Sequence, residues 1–171
     1  MSADTGRARL GVVFRTLDVS AEAPGQLFLH SMPGRFEDLA DARAEIVARS
    51  IDRVVCLAPL DEIRQKSPGY ARAIEQGVPW VHDAFPITDF GVPHDVAALR
   101  VRAASVAAAL GRGENVLIHC AAGMGRTGLF ATAVLVVNGV GLADALQRVR
   151  AAGSEAETPE QRRLLEQLAA R

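Results

Sequence analysis

The chain has 171 residues and a mass of 18.1 kDa, which is the size of a single domain with one hydrophobic core. Hydrophobic residues make up 49% of it and charged residues 23%, a balance that excludes a disordered chain and favours a globular one. The formal net charge is −1, from 19 basic and 20 acidic residues. This balance argues against a global polycation that neutralises nucleic acid but leaves a local basic pocket open, and we expect no nucleic-acid partner.

Two cysteines are too few for a disulfide framework or a four-cysteine zinc site, and both Cys56 and Cys120 stand in apolar runs. Residues Met1–Arg9 are polar and lack the apolar core of a secretory signal. The longest apolar stretch, Gly128 to Ala143, is too short to span a bilayer comfortably and contains Asn138. We therefore expect a cytoplasmic protein with reduced thiols and no membrane partner; the oligomeric state is left open.

Apolar patterning along the chain predicts alternating strands and helices. Residues 1–8 are expected to form a flexible tail, and residues 9–171 one domain. Short apolar runs predict strands at Leu10–Leu17, Gln26–His30, Arg53–Leu57, Trp80–Phe85 and Asn115–His119. Helical spacing and capping residues predict helices at Asp38–Arg49, at Asp61–Gln76 with a break at Pro68-Gly69, and at Asp95–Leu110. A further apolar helix is predicted to follow the glycine-rich turn that ends at Gly128 and to continue to Val137. The last two predicted helices are Leu142–Ala151 and Pro159–Ala170. This order is typical of an α/β domain with a central, mainly parallel sheet flanked by helices.

The segment from His119 to Gly128, with the sequence HCAAGMGRTG, lies between a predicted buried strand and a predicted apolar helix. That position directs backbone N–H groups and the positive end of a helix dipole into one small space, and the glycines let the backbone wrap closely. Arg126 can donate two hydrogen bonds to a phosphate group. Cys120 lies among these donors, so we expect a thiol that ionises readily beneath a bound phosphate.

The same segment has three other interpretations. Gly123, Gly125 and Gly128 match a dinucleotide-binding fingerprint, but that site needs an acidic residue at the end of a strand about 20 residues on, and the acid available, Asp144, stands in a helical stretch. A Walker A loop needs lysine where Leu129 stands. The remaining alternative is a buried strand cysteine followed by a packing turn.

The pattern His119-Cys120-x5-Arg126-Thr127-Gly128 resembles the signature of cysteine-dependent protein tyrosine and dual-specificity phosphatases. The resemblance covers nearly the whole domain, and Leu29 to Pro93 is similar to the kinase-associated phosphatase-like members. It implies a protein tyrosine phosphatase-like fold and a hydrolase that removes phosphate from phosphotyrosine or phosphoserine/threonine in a protein substrate. It implies no metal and no other cofactor.

The resemblance also implies a role for each matching residue. Cys120 is the nucleophile that forms a phosphocysteine, Asp89 in the loop Pro86–Pro93 is the general acid, and Thr127 donates a hydrogen bond to the sulfur. Gln161 is expected to hold the hydrolytic water, and His119 to support the loop. The backbone N–H groups expected to bind phosphate are those of Ala121, Ala122, Gly123, Met124, Gly125 and Arg126.

Several points stay open at this stage. Asp83 and His94 lie near Asp89 in sequence and are alternative acids. Cys56 ends the strand expected beside the one that leads to Cys120; in some relatives a cysteine there forms a reversible disulfide with the nucleophile, and otherwise it is a core residue. The alternative functions are a phosphatase for a small soluble phosphate, such as an inositol phosphate, and a phosphate-binding module without turnover. The signature loop lacks the lysines that phosphoinositide-specific relatives often carry.

Overall fold

A five-stranded sheet forms the centre of the computed structural model, which describes residues 12–20 and 22–171. The strand order is β1-β2-β5-β3-β4. Three of the four pairings are parallel, and the edge strand β1 is antiparallel to β2, which confirms the mainly parallel sheet. The strands are β1 Arg15–Leu17, β2 Leu27–His30, β3 Ile51–Cys56, β4 Val81–Ala84 and β5 Asn115–His119.

Seven helices surround this sheet in the described residues: α1 Leu39–Ala48, α2 Leu60–Lys66, α3 Pro68–Gln76, α4 Val96–Gly111, α5 Gly125–Val137, α6 Leu142–Ala151 and α7 Pro159–Ala169. Pro68 begins α3, so the predicted break in the segment Asp61–Gln76 is confirmed. Asp95 caps α4 as predicted, because its carboxylate accepts a hydrogen bond of 2.6 Å from the Ala98 N–H. None of these helices combines the length and the apolar character needed to cross a membrane within the described residues.

The first strand is shorter than predicted. The expectation was Leu10–Leu17, but residues 12–14 are not strand and β1 begins at Arg15. The three residues of β1 pair with Leu29, Phe28 and Leu27 of β2, so the ladder ends before His30, the last residue of β2. The predicted tail, residues 1–8, and the start of the predicted strand at Leu10 lie outside the described residues.

Both faces of the sheet are covered, as expected for parallel strands. Alternate residues of β5 face opposite sides: Val116 and Ile118 pack in one buried cluster with α4 and α5, whereas Leu117 packs in a second cluster with Ile46 of α1 and Tyr70 of α3. The central strand β5 is therefore fixed in position on both sides. Its C-terminal end, between β2 and β3, carries the segment from His119 to Gly128, and rigid placement of that end positions the site.

Candidate active site

Cys120 lies in the short turn between β5, which ends at His119, and α5, which begins at Gly125. Its side chain is buried, with 2% of its surface exposed, yet it lines a pocket of about 140 Å³. The sulfur accepts hydrogen bonds from the Gly123 N–H at 3.3 Å and from the Thr127 hydroxyl at 3.1 Å. Cys120 is thus placed in the wall of an open pocket, with two donors directed at its sulfur.

The glycines of the loop are required by close backbone approaches. Gly123 has a φ of +73°, which L side chains rarely adopt, and a Cβ there would lie 2.6 Å from the His30 carbonyl oxygen. At Gly128 a Cβ would lie 2.4 Å from the Glu155 carbonyl carbon. The loop is therefore packed tightly between β2 and the segment before α7, and no larger residue fits at either position.

Arg126 is buried on the first turn of α5, and 3% of its surface is exposed. Its two terminal nitrogens donate to the two carboxylate oxygens of Glu62 at 2.8 and 2.9 Å, and Nη1 also donates to the Ile87 carbonyl at 2.9 Å. Burial alone lowers the pKa of the Arg126 guanidinium, but the hydrogen-bonded Glu62 raises it above its ordinary value. The same contact holds the pKa of Glu62 at about 2. The guanidinium is therefore charged and held in one orientation.

Glu62 was not identified from the sequence. It stands in the first turn of α2, where acidic residues are common because they interact favourably with the helix dipole. Its partner Arg126 is 64 residues away in the sequence. A buried arginine does require a carboxylate, but that requirement does not single out one of the 20 acidic residues in the chain.

The structure brings Asp89 to the same pocket. Asp89 Oδ1 lies 3.2 Å from Arg126 Nη2, and the Asp89 side chain is 48% exposed. The loop is tightened by hydrogen bonds from the Phe90 N–H to Asp89 Oδ1 at 3.0 Å and from the Gly91 N–H to the Thr88 carbonyl at 2.7 Å. Phe90 adopts a φ of +60°, which is uncommon for a residue with a side chain. Asp89 is therefore held at the pocket while remaining accessible to solvent.

His119 supports the loop from inside the core and does not line the pocket. Burial lowers its pKa to about 4, so the imidazole is neutral near pH 7. Nδ1 lies 2.9 Å from the Cys120 carbonyl, which can only accept, and this assigns the proton to Nδ1. Nε2 must then accept from the Tyr70 hydroxyl at 2.9 Å. This chain of hydrogen bonds fixes the carbonyl of Cys120, and Tyr70 is a member of it that the sequence did not reveal.

Gln161 is fully buried and does not line the pocket. Its Oε1 accepts from the N–H groups of Glu157 and Thr158 at 2.8 and 3.3 Å, completing a capping box at the start of α7. Its Nε2 donates to the Gly91 carbonyl at 3.0 Å and so ties the Asp89 loop to α7. Both polar atoms of the Gln161 side chain therefore already have protein partners. The expected contact of Gln161 with the hydrolytic water stays a prediction.

Cys56 ends β3 beside the end of β5, as expected, and its register partner is His119. It is 1% exposed, its thiol donates to the Ala58 carbonyl at 3.6 Å, and burial raises its pKa to about 12. It packs in the second core cluster, whereas Cys120 belongs to the first. Cys56 does not line the pocket, and a redox pairing with Cys120 stays a prediction.

The two alternative acids lie outside the pocket. Asp83 forms ion pairs with Arg102 at 2.7 Å and with Arg53 at 3.4 Å, and His94 is exposed. The pocket is also lined by four residues that the sequence did not indicate: Arg35, Lys66, Phe90 and Glu157. Within residues 12–20 and 22–171, no three His, Cys, Asp or Glu side chains are grouped as metal ligands.

Residues 30–140 match a family model described as "Tc-R-P: Polymorphic toxin system, DSP-PTPase phosphatase". The chain belongs to this family. A search of curated proteins found no match.

Solved structures with the same fold cover most of the chain. A kinase-associated phosphatase (KAP), with serine in place of its catalytic-site cysteine, has a TM-score of 0.79 and 20% identity over 95% of this chain and 99% of its own. Tk-PTP in its active form has a TM-score of 0.67 and 28% identity over 92% and 97%. PTPMT1 in complex with PI(5)P has a TM-score of 0.62 and 18% identity over 84% and 90%. These similarities show a protein tyrosine phosphatase-like fold.

Proposed function

We propose that the protein is a cysteine-dependent phosphatase that hydrolyses phosphotyrosine, phosphoserine or phosphothreonine in proteins through a phosphocysteine intermediate. The observation that carries this proposal is the shared pocket. Cys120, the buried Arg126 and the exposed Asp89 all line it, together with the loop residues whose N–H groups precede α5. A nucleophile, a phosphate-binding cation and a proton donor are the groups that phosphomonoester cleavage needs.

In the first step the Cys120 thiolate attacks phosphorus in line with the ester bond. The phosphorus–oxygen bond breaks as the sulfur–phosphorus bond forms, and Asp89 gives its proton to the departing oxygen. The N–H groups of the loop and the Arg126 guanidinium bind the three remaining phosphate oxygens. These donors are fixed before substrate arrives, because Glu62 and Ile87 already hold the guanidinium.

In the second step water attacks the phosphocysteine while Asp89, now a carboxylate, accepts a proton from that water. The sulfur–phosphorus bond breaks, inorganic phosphate leaves and the thiolate is restored. The hydroxyl of Thr127, 3.1 Å from the sulfur, stabilises the negative charge that returns there. No separate base is needed, because the acid of the first step is the base of the second.

The decisive test is hydrolysis of p-nitrophenyl phosphate by the purified chain, with vanadate as inhibitor. Cys120→Ser should abolish turnover, and Asp89→Asn should slow it by about 10²–10⁴-fold while leaving substrate binding nearly unchanged. Asp83→Asn is the matched control, because Asp83 is an acid of the adjacent strand that lies outside the pocket. Wild-type hydrolysis by Cys120→Ser would overturn the proposal.

A second substrate class is favoured by the cations of the rim. Arg35 and Lys66 line the pocket beside Arg126, and a small substrate with several phosphates, such as an inositol phosphate, would offer them further anionic groups. PTPMT1, which shares the fold, has been solved with PI(5)P. A panel of phosphopeptides and soluble inositol phosphates separates the two classes, since Arg35→Ala should lower kcat/KM for the second class far more than for the first.

We also propose that Cys56 protects Cys120 from irreversible oxidation. Peroxide would convert the Cys120 thiolate to a sulfenic acid, and Cys56 sulfur would displace its hydroxyl as water, forming a disulfide. The raised pKa of Cys56, about 12, makes this attack slow. Mass spectrometry after mild peroxide tests the proposal: a Cys56–Cys120 disulfide supports it, and a sulfinic Cys120 beside a free Cys56 overturns it.

A further inference from the structure

Arg15, on the edge strand β1, reaches across the molecule to the back of the Cys120 loop. Its Nη2 donates to the Gly123 carbonyl at 2.7 Å, and its Nη1 donates to the Ala152 carbonyl and the Ser154 hydroxyl, both at 3.0 Å. The buried Ser154 hydroxyl donates in turn to the same Gly123 carbonyl at 2.6 Å. One carbonyl of the loop is therefore held by two donors from outside the pocket, which Arg15 and Ser154 do not line.

Holding this carbonyl determines the direction of the next N–H group. The peptide between Gly123 and Met124 is planar and trans, so its carbonyl and its N–H point in opposite directions. Because the Gly123 carbonyl is fixed on the outer side of the loop, the Met124 N–H is directed towards the pocket side. The preceding N–H, that of Gly123, donates to the Cys120 sulfur at 3.3 Å. The contacts of Arg15 and Ser154 therefore act on the peptide group that directly follows this N–H in the anion-binding loop.

The charge of Arg15 is also placed to act on the loop. Its three acceptors are two carbonyls and a hydroxyl, and among residues 12–20 and 22–171 no carboxylate forms an ion pair with it. A partly buried cation without a counter-ion is unfavourable unless an anion lies nearby. Burial lowers the pKa of the Arg15 guanidinium, whereas the negative charge of Cys120 acts to raise it. In the proposed mechanism, the Cys120 thiolate and later the bound phosphate place a negative charge near this cation.

We propose that Arg15 is a positioning residue for phosphate hydrolysis, which holds the Gly123 carbonyl outside the pocket and places a positive charge behind the Cys120 loop. The inference rests on the proposed role of Cys120 as a thiolate nucleophile. It assigns Arg15 a part in shaping the anion site before substrate binds, while Arg126 contacts the phosphate itself. Ser154 shares the first task but not the second, because its hydroxyl carries no charge.

The test measures the Cys120 loop without relying on turnover. In the full chain, the rate of Cys120 alkylation by iodoacetamide is followed against pH, and mass spectrometry separates Cys120 from the buried Cys56. The same reaction, run with increasing inorganic phosphate, gives the phosphate affinity from the protection of Cys120. The variants are Arg15→Met, Arg15→Lys and Ser154→Ala. Arg100→Met is the matched control, since partly buried Arg100 also donates to a carbonyl, that of Leu168, away from the pocket.

Arg15→Met should move the midpoint of the alkylation curve upwards by about half to one pH unit, less than the 1–3 units typical of a cation in direct contact. It should also weaken phosphate protection by about tenfold. Arg15→Lys should restore the midpoint, because it keeps the charge, but not the full phosphate affinity. Ser154→Ala should leave the midpoint unchanged and weaken phosphate protection by about threefold, the loss of one neutral hydrogen bond. Arg100→Met should change neither measurement.

A folded Arg15→Met variant with the wild-type alkylation curve and wild-type phosphate protection would overturn the inference. If that variant does not fold, Arg15→Lys and Ser154→Ala decide the question, and wild-type phosphate protection in both overturns it. The result is separable from the proposed function: a chain that hydrolyses no phosphomonoester, but whose alkylation curve still shifts in Arg15→Met, shows that Arg15 shapes the anion site at Cys120 and contradicts the proposed activity.

Discussion

Replacing Glu62 by glutamine is expected to weaken both the fold and the site. The carboxylate accepts from both terminal nitrogens of Arg126 at 2.8 and 2.9 Å, and from Lys66 at 2.9 Å. Glutamine keeps the shape of the side chain but offers one acceptor oxygen, and its amide N–H group faces a guanidinium that cannot accept. Arg126 then keeps the Ile87 carbonyl and the Asp89 carboxylate as partners, but its orientation is no longer fixed by two parallel hydrogen bonds to Glu62.

The size of the effect follows from the pKa of Glu62, which falls from 4.5 to about 2, chiefly because of the hydrogen bond with Arg126 and against the effect of burial. At about 1.4 kcal/mol per pKa unit, this corresponds to about 3 kcal/mol in favour of the charged carboxylate. The pKa is lowered in the folded state, so this stabilisation is present above pH 4.5 and is lost as pH falls towards 2. At pH 7 we expect Glu62→Gln to lower the free energy of unfolding by about 2–3 kcal/mol. This is close to the loss of about 3–5 kcal/mol that is typical when one partner of a buried ion pair is removed.

Urea denaturation at pH 7 measures the stability, and p-nitrophenyl phosphate hydrolysis measures kcat. We expect kcat to fall by about tenfold or more. This fall is towards the decrease in kcat that removal of one fixed oxyanion donor causes. Glu75→Gln is the control, because Glu75 pairs with Arg64 on the surface with side chains 44% and 58% exposed, and such pairs contribute about 0–1 kcal/mol. If the two variants lost equal stability and kept wild-type kcat, the account of Arg126 would be wrong.

Three further predictions concern side chains that contact Cys120 or the Asp89 loop. Burial lowers the pKa of His119 from 6.5 to about 4, so between these pH values the unfolded chain binds a proton at His119 and the folded chain does not. The wild-type unfolding free energy should therefore fall by about 3 kcal/mol between pH 6.5 and 4. Urea titrations at several pH values measure this fall, and His119→Gln should lack it. Thr127→Val removes the donor 3.1 Å from the sulfur and should slow breakdown of the phosphoenzyme about tenfold. This slower breakdown should appear as a burst of p-nitrophenol, which Thr127→Ser should not show. Equal bursts in the two variants would contradict the role of the hydroxyl. Gln161→Leu loses the capping box and the contact with Gly91 and should cost about 1–2 kcal/mol in urea denaturation, whereas a water-positioning role additionally requires slower phosphoenzyme breakdown in stopped-flow assays.

The class of fold could be predicted because its elements are encoded locally. Short apolar stretches mark β2, β3 and β5, Asp95 marks the start of α4, and Pro68 marks the break between α2 and α3. The edge strand β1 was overestimated, because Val12 and Phe14 pack against the core without joining the ladder with β2. Apolar residues near a strand extend the pattern without extending the ladder.

The loop at Cys120 could also be predicted, since ten consecutive residues carry its chemistry. The residues that fix its geometry could not. Glu62 is 64 residues from Arg126, and Arg15 is 108 residues from Gly123. Each stands in a sequence context where a surface charge is the ordinary expectation. Only the sheet order, which places β1 and the start of α2 around the end of β5, brings these charges to the loop.

The account depends most directly on a covalent phosphate at Cys120. Asp89→Asn should slow breakdown of the intermediate, so rapid acid quenching of this variant with p-nitrophenyl phosphate, followed by peptide mass spectrometry, can trap it. The account predicts one phosphoryl group on the peptide that contains Cys120, and none on that peptide when vanadate is added first. Release of p-nitrophenol with Cys120 unmodified at every quench time would contradict it.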